Sequence, residues 1–264
     1  MLAVLSPAKS LDLTPPPISV STTEPALMKD AANLMKTTRG LSQTKVRELM
    51  SISPDLAKLN YDRFRSFELP FTDKNAMPAA LMFDGDVYRG LSARTLDTEA
   101  LKWAQGRVAI LSGLFGLLRP LDRIQPYRLE MGTKLSTRRG KNLYAYWDDR
   151  IRKQIAGVVA DHGDPTLVNL ASAEYFKATQ AKKLDTPVLR IVFEDWKDGK
   201  KPNVVSFMAK YARGAMARFI IEERIDQCDG LKDFRKDRYR FQKARSTDSE
   251  WVFGRKFVPV AKAG

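Results

Sequence analysis

Three short, largely apolar runs limit what this chain can fold into more than any other feature. Leu2-Ala3-Val4-Leu5 stops at Ser6-Pro7-Ala8-Lys9, and Val108-Ala109-Ile110-Leu111 stops at Ser112-Gly113-Leu114-Phe115-Gly116. Leu167-Val168-Asn169-Leu170 stops at Ala171-Ser172-Ala173-Glu174-Tyr175. A strand with successive apolar residues has both faces buried, the habit of a parallel sheet covered by helices on either side. In open sheets of that kind the ligand crevice lies beyond the carboxyl ends of the strands. Three strands ending in small polar residues would share one cleft there, although Ser and Gly also begin ordinary turns. The fold expected is therefore mixed α/β (α+β): a central sheet of short buried strands ending in a polar, basic cleft, flanking helices, and a C-terminal β hairpin.

Further strand-like runs are Val188–Phe193 and Val204–Phe207. Helical periodicity covers Glu24–Thr38, Gln43–Ile52, Pro54–Phe64 and Leu143–Asp161, with Thr23 and Ser53 at N-cap positions and Pro25 and Pro54 in first turns. The tail from Tyr239 to Phe257 reads as a hairpin around Ser246-Thr247-Asp248-Ser249. No repeat, low-complexity tract or long linker divides the 264 residues, so a single domain over 1–264 is expected.

In the expected cleft Lys9 is the basic group at the first strand's exit and Glu174 the carboxylate at the third's. Lys9 suits a base, a nucleophile or a phosphate clamp. Glu174 suits its ion partner or a general acid/base. Ser6, Ser112, Gly113, Gly116, Arg128, Asn169, Ser172 and Tyr175 complete the candidate lining. The Gly113-x-x-Gly116 loop can aim backbone N–H groups at an anion, though it is neither a Walker loop nor GxGxxG. Arg128 and Glu130 lie on one side of an extended stretch, where they pair with each other or face a ligand together. A single His162 and a single Cys228 make Ser-His-Asp and Cys-His triads improbable and exclude Cys/His zinc patterns and an internal disulfide. No metal and no cofactor is expected.

Charge points to the partner. Lys and Arg number 45 against 31 Asp and Glu, a net +14, the footprint of a chain that meets polyanions. From Lys197 to the end, 17 basic residues oppose nine acidic ones, a net +8. Within that quarter, Phe207–Arg224 is an amphipathic helix with Met208, Tyr211, Ala212, Ala215, Met216 and Phe219 on one face. Lys210, Arg213 and Arg224 fall opposite, with Arg218 at the edge. Earlier, Ala76–Thr95 has the layout of a helix-hairpin-helix around Gly85, with Arg89 and Arg94 placed for phosphates. Asp84 and Asp86 beside that glycine would repel phosphate, so a plain helix-turn-helix corner fits equally well. No apolar run approaches 18 residues and Met1–Leu5 lacks a signal-peptide core, so a cytoplasmic protein without membrane contact is expected.

Six blocks together resemble the YaaA family: Leu5–Lys9, Phe83–Leu91, Leu111–Asp122, Gln125–Gly132, Asn169–Lys177 and Ala212–Ile221. The resemblance spans almost the whole chain, failing mainly at Thr14–Thr23 and the last few residues. It implies a cytosolic bacterial protein that protects against peroxide and limits iron-driven damage. It also implies a mixed α/β fold with a positively charged cleft and a DNA-binding helix-hairpin-helix, carried here onto Asp84–Leu91. No assigned reaction comes with it. With one His and one Cys, direct iron chelation would need mostly carboxylates. The leading expectation is a binder of double-stranded or structured DNA with little sequence preference, through Lys9, Gly85, Arg89, Arg94, Lys210, Arg213 and Arg218. The alternatives are an enzyme acting on a nucleotide or DNA lesion, with Lys9 as base or nucleophile and Glu174 as proton carrier, and a protein-interaction role in iron handling.

Overall fold

A computed structural model describes residues 1–196 and 201–256. The three apolar runs are strands of one seven-stranded sheet: β1 (Leu2–Leu5), β2 (Val108–Ser112), β3 (Gly116–Leu118), β4 (Leu167–Asn169), β5 (Val188–Trp196), β6 (Arg240–Phe241) and β7 (Glu250–Lys256). Their order is β6-β7-β5-β4-β1-β2-β3. The five inner strands are parallel, and β3 and β6 close the edges antiparallel. β1 lies inside the sheet next to the central strand β4, with Ala3 opposite Val108 on one side and Val168 on the other. All four of its residues are buried, which is why no polar residue alternates in this run.

Helices cover the sheet. Ser206–Glu222 packs on β1 and β5, and Arg150–Ala160 on β3. Local chemistry sets several helix starts: Ser53 accepts from Leu56 N with Pro54 in the first turn, and Ser42 accepts from Lys45 N. The first expected helix begins later, at Met28, because Thr23 is drawn away to donate to Asp122 Oδ1 at 2.6 Å. The expected Leu143–Asp161 helix is two, Leu143–Trp147 and Arg150–Ala160, broken where Asp148 takes φ +45°.

Val204–Phe207 is not a strand. Helix Ser206–Glu222 starts within it, because Ala209, Ala212, Ala215 and Met216 bury at helical spacing while Val204 stays exposed. The C-terminal hairpin is present, with Phe241 opposite Phe253, and its second strand also runs parallel to β5 from Glu250 to Lys256. Phe257, Lys197, Lys200 and Lys262 lie outside the described residues. Among the described residues no helix is long and apolar enough to cross a membrane.

The Ala76–Thr95 stretch departs from two helices joined by a hairpin. Its first arm is a single turn, Ala79–Met82, followed by an extended pair, Phe83–Asp84, which ladders with Ser10–Leu11. Gly85, at φ +146°, then turns the chain into helix Asp86–Leu91. That helix crosses Ser206–Glu222 at backbone distance: a Cβ on Gly90 would sit 2.0 Å from Tyr211 O, and one on Gly214 1.7 Å from Val87 O.

Candidate functional site

The chain leaves β1 toward β2 on one side and returns through β4 on the other, so β1 and β4 flank a topological switch point. A cavity of about 390 Å³ opens at their carboxyl ends. Ser6–Ser10 comes from the β1 exit, and Leu170, Ser172, Glu174 and Tyr175 from the β4 exit. Tyr127–Glu130, Asp84–Tyr88 and the pair Lys210 and Arg213 close the remaining sides. The two strand exits are tied together: Ser172 N donates to Ser6 Oγ at 2.9 Å, and the Ser6 hydroxyl donates to Ser172 Oγ at 3.3 Å.

Nine candidate residues from the sequence meet here: Ser6, Lys9, Gly85, Arg128, Ser172, Glu174, Tyr175, Lys210 and Arg213. The end of β2 does not join them. Ser112 is fully buried behind Tyr127, whose hydroxyl lies 2.6 Å from Ser112 Oγ. Gly113 and Gly116 belong to the tight β2–β3 hairpin, where Gly113 O accepts from Trp147 Nε1 at 2.9 Å. Packed against that indole, the loop is a buried corner rather than an anion cradle. Asn169 shapes the β4 exit by accepting from Ala171 N at 2.9 Å and does not line the cavity.

Three tyrosines form the apolar wall. Tyr88 donates to Ser6 O at 3.0 Å, and burial raises the Tyr88, Tyr127 and Tyr175 phenols well above their ordinary range. They stay neutral at physiological pH. Sequence reasoning missed Tyr88 and Tyr127 as lining, although both fall inside blocks it had singled out.

The ion pairs also differ from expectation. Lys9 Nζ pairs with Glu130 Oε2 at 3.0 Å, not with Glu174. Glu130 Oε1 holds Arg128 at 3.1 Å, so Arg128 and Glu130 both pair with each other and face the cavity. Glu174 instead accepts from Gly132 N at 2.8 Å, through Oε1 alone. The Lys9 side chain is 62% exposed, without the apolar desolvation a nucleophilic lysine uses.

Arg213 is the outlier. It has no ion-pair partner among the described residues, and its Nε is buried without a hydrogen bond. Burial, and secondarily the nearby Arg190, push its guanidinium below the ordinary arginine value. Lys210, one turn earlier, is exposed and likewise unpaired among the described residues. The lining as a whole is balanced: Lys9, Arg128, Lys210 and Arg213 face Asp84, Asp86, Glu130 and Glu174. Positive character is confined to the Lys210–Arg213 wall.

Three expected phosphate contacts lie outside the cavity. Arg89 is exposed and sits 3.8 Å from Asp84 and 3.9 Å from Asp86, partly offsetting those carboxylates. Arg94 spends its donors on Leu81 O, Thr14 O and Pro15 O and pairs with Asp12 at 2.9 Å, anchoring the proline-rich spacer. Arg218 donates to Leu91 O, Ser92 O and Thr95 Oγ1 and pairs with Glu222 at 2.8 Å. It caps the end of helix Asp86–Leu91. We expect Arg218→Ala to lower stability by about 1–3 kcal/mol in urea unfolding, the range for charge-assisted bonds to partly buried carbonyls. An unchanged midpoint would return Arg218 to the pool of free surface cations.

Among the described residues no group of three or more His, Cys, Asp or Glu could hold a metal ion. Cys228 is not a reactive thiol, since burial and the adjacent Asp164 carboxylate push it up to about 12.

A family model described as "Peroxide stress protein YaaA" matches residues 1–245. The chain is similar to a UPF0246 protein of Caulobacter vibrioides, 51% identical over 255 residues, covering 97% of this chain and 99% of the relative. A UPF0246 protein of Dechloromonas aromatica is 48% identical over 256 residues with the same coverage. One of Cellvibrio japonicus is 49% identical over 255 residues, covering 97% and 98%.

Proposed function

The chain belongs to the YaaA family of peroxide stress proteins, and we propose that it serves that response by binding DNA backbone through the Lys210–Arg213 wall, with little sequence preference. One observation carries this reading. A half-buried guanidinium without an ion-pair partner among the described residues costs free energy until an anion arrives, and Arg213 is in that state beside the unpaired Lys210. Phosphate is the anion that suits a planar fork and an adjacent point charge. The overall +14 draws a polyanion toward that wall. Arg89 and Lys9 supply the further contacts.

Peroxide protection by direct chemistry at the Cys228 thiol is disfavoured. With the Cys228 thiol pushed up to about 12, almost none of it is thiolate at neutral pH. A strain carrying Cys228→Ser is expected to survive a peroxide challenge as the parent does. Survival falling to that of a deletion strain would restore a thiol mechanism.

Fluorescence anisotropy of a labelled duplex, across about 50 to 200 mM salt, tests the DNA reading. Contact through Lys9, Arg89, Lys210 and Arg213 neutralises about four phosphates, so the log–log slope should be about −3.6. Binding that is absent, or indifferent to salt, would overturn the proposal.

A further inference from the structure

We infer that the strand-end cavity takes a single nucleotide unit, with its phosphate on the Arg213–Lys210 wall and its base against the tyrosine wall. The inference rests on the DNA reading for one source of that unit, a nucleotide unstacked from the bound strand; a free nucleoside monophosphate is the other.

Four features of the cavity point the same way. A contact that only tracks backbone needs a positive surface, whereas here a half-open cavity of about 390 Å³ adjoins the positive wall, within the range of small-molecule sites. Its lining is of mixed sign, which a run of phosphates would not favour. A nucleotide presents both an anion and a base edge carrying N–H donors, and so uses both signs. The Tyr88 and Tyr127 hydroxyls are taken by Ser6 O and Ser112, so these tyrosines offer the cavity an apolar edge rather than free hydroxyls. Bases taken out of a stack are commonly held on such walls. Finally, two arginines of the lining, Arg128 and Arg213, each keep a buried Nε without a hydrogen bond. Both guanidiniums belong to one lining, where a ligand with several acceptors meets them together.

Glu174 is the group placed to read the base edge. Its Oε1 is held by Gly132 N at 2.8 Å, which fixes the carboxylate, while Oε2 has no partner among the described residues. Glu130 is committed to Lys9 and Arg128 and serves to hold those cations in place.

The test uses the full chain. Calorimetric titration with dAMP, dGMP, dCMP and dTMP is compared with inorganic phosphate. In parallel, a duplex carrying 2-aminopurine is followed by fluorescence, which rises when that base leaves the stack. We expect at least one monophosphate to bind about tenfold or more tighter than phosphate. In Glu174→Gln that preference should fall about tenfold, the worth of one charge-assisted hydrogen bond. Arg213→Gln should weaken monophosphates and inorganic phosphate together. Brightening of the 2-aminopurine duplex identifies the strand as the source. Monophosphate binding without brightening identifies the free nucleotide. Salt-dependent duplex binding with neither monophosphate preference nor brightening would overturn this inference and leave the DNA reading standing. Monophosphate binding by a protein that ignores duplex would do the reverse.

Discussion

Gly214→Ala should be among the most damaging single changes available to this chain, lowering stability by about 3 kcal/mol or more in urea unfolding. The added methyl carbon would stand 1.7 Å from Val87 O, 2.7 Å from Val87 C and 2.8 Å from Leu91 N. All three are backbone atoms of a neighbouring helix, so no side chain can swing aside. Overpacking a well-fitted interior typically costs about 1–3 kcal/mol, and more where backbone must move. Gly90→Ala should behave alike, since its Cβ would meet Tyr211 O at 2.0 Å and Ala215 N at 2.8 Å. Gly157→Ala is the internal control. It lies in helix Arg150–Ala160 with nothing within 4 Å of its Cβ, so there alanine should stabilise by about 0.5–1 kcal/mol. Opposite signs at two helical glycines would identify close approach as the cause. A Gly214→Ala protein with the parent's midpoint would refute the crossing geometry.

The second large effect concerns binding. Reversing both charges of the wall, Lys210→Glu with Arg213→Glu, should lower duplex affinity about 100-fold near 100 mM salt, roughly tenfold per lost phosphate contact. The salt slope should become shallower by about 2. Reversal of Lys58 alters net charge at an exposed position already paired with Asp62 at 2.7 Å and should have only a small effect. If Lys58→Glu and the double reversal proved equally harmful, long-range attraction would account for binding and the wall would lose its special role. Arg213 is partly buried, so a melting curve for the double variant accompanies the binding measurement.

How far the sequence already disclosed this site depends on which residues are asked about. β1, β2 and β4 were legible because unbroken apolar runs have few places to go. The cleft beyond Ser6 and Ser172 followed from chain direction alone. The accounting of cations did not. Arg218 finds its acceptors at Leu91 and Ser92, more than 120 positions away, and Arg94 finds its own at Thr14 and Pro15. A sequence shows that an arginine is present and not whether its donors are already taken. The same holds for Lys9, whose carboxylate comes from an extended segment near neither strand end considered for it. Val204–Phe207 was misread for another reason: β-branched residues at a helix entrance satisfy a strand pattern over four positions, and only the longer period beyond them decides. Gly113 and Gly116 share their spacing with anion loops, but Trp147 fills the space an anion would need.

The interior place of β1 also bears on how the molecule comes into being. The first strand to be synthesised is flanked by β2 and β4, whose partners to Ala3 are Val108 and Val168. The middle of the sheet therefore cannot close until well over half of the chain has been made. Parallel pairings across such separations demand large loop closures before any contact rewards them, which places the protein among slow folders. Until β4 arrives, a wholly apolar segment at the amino terminus is left without a partner on one side, the condition under which newly made chains depend most on chaperones.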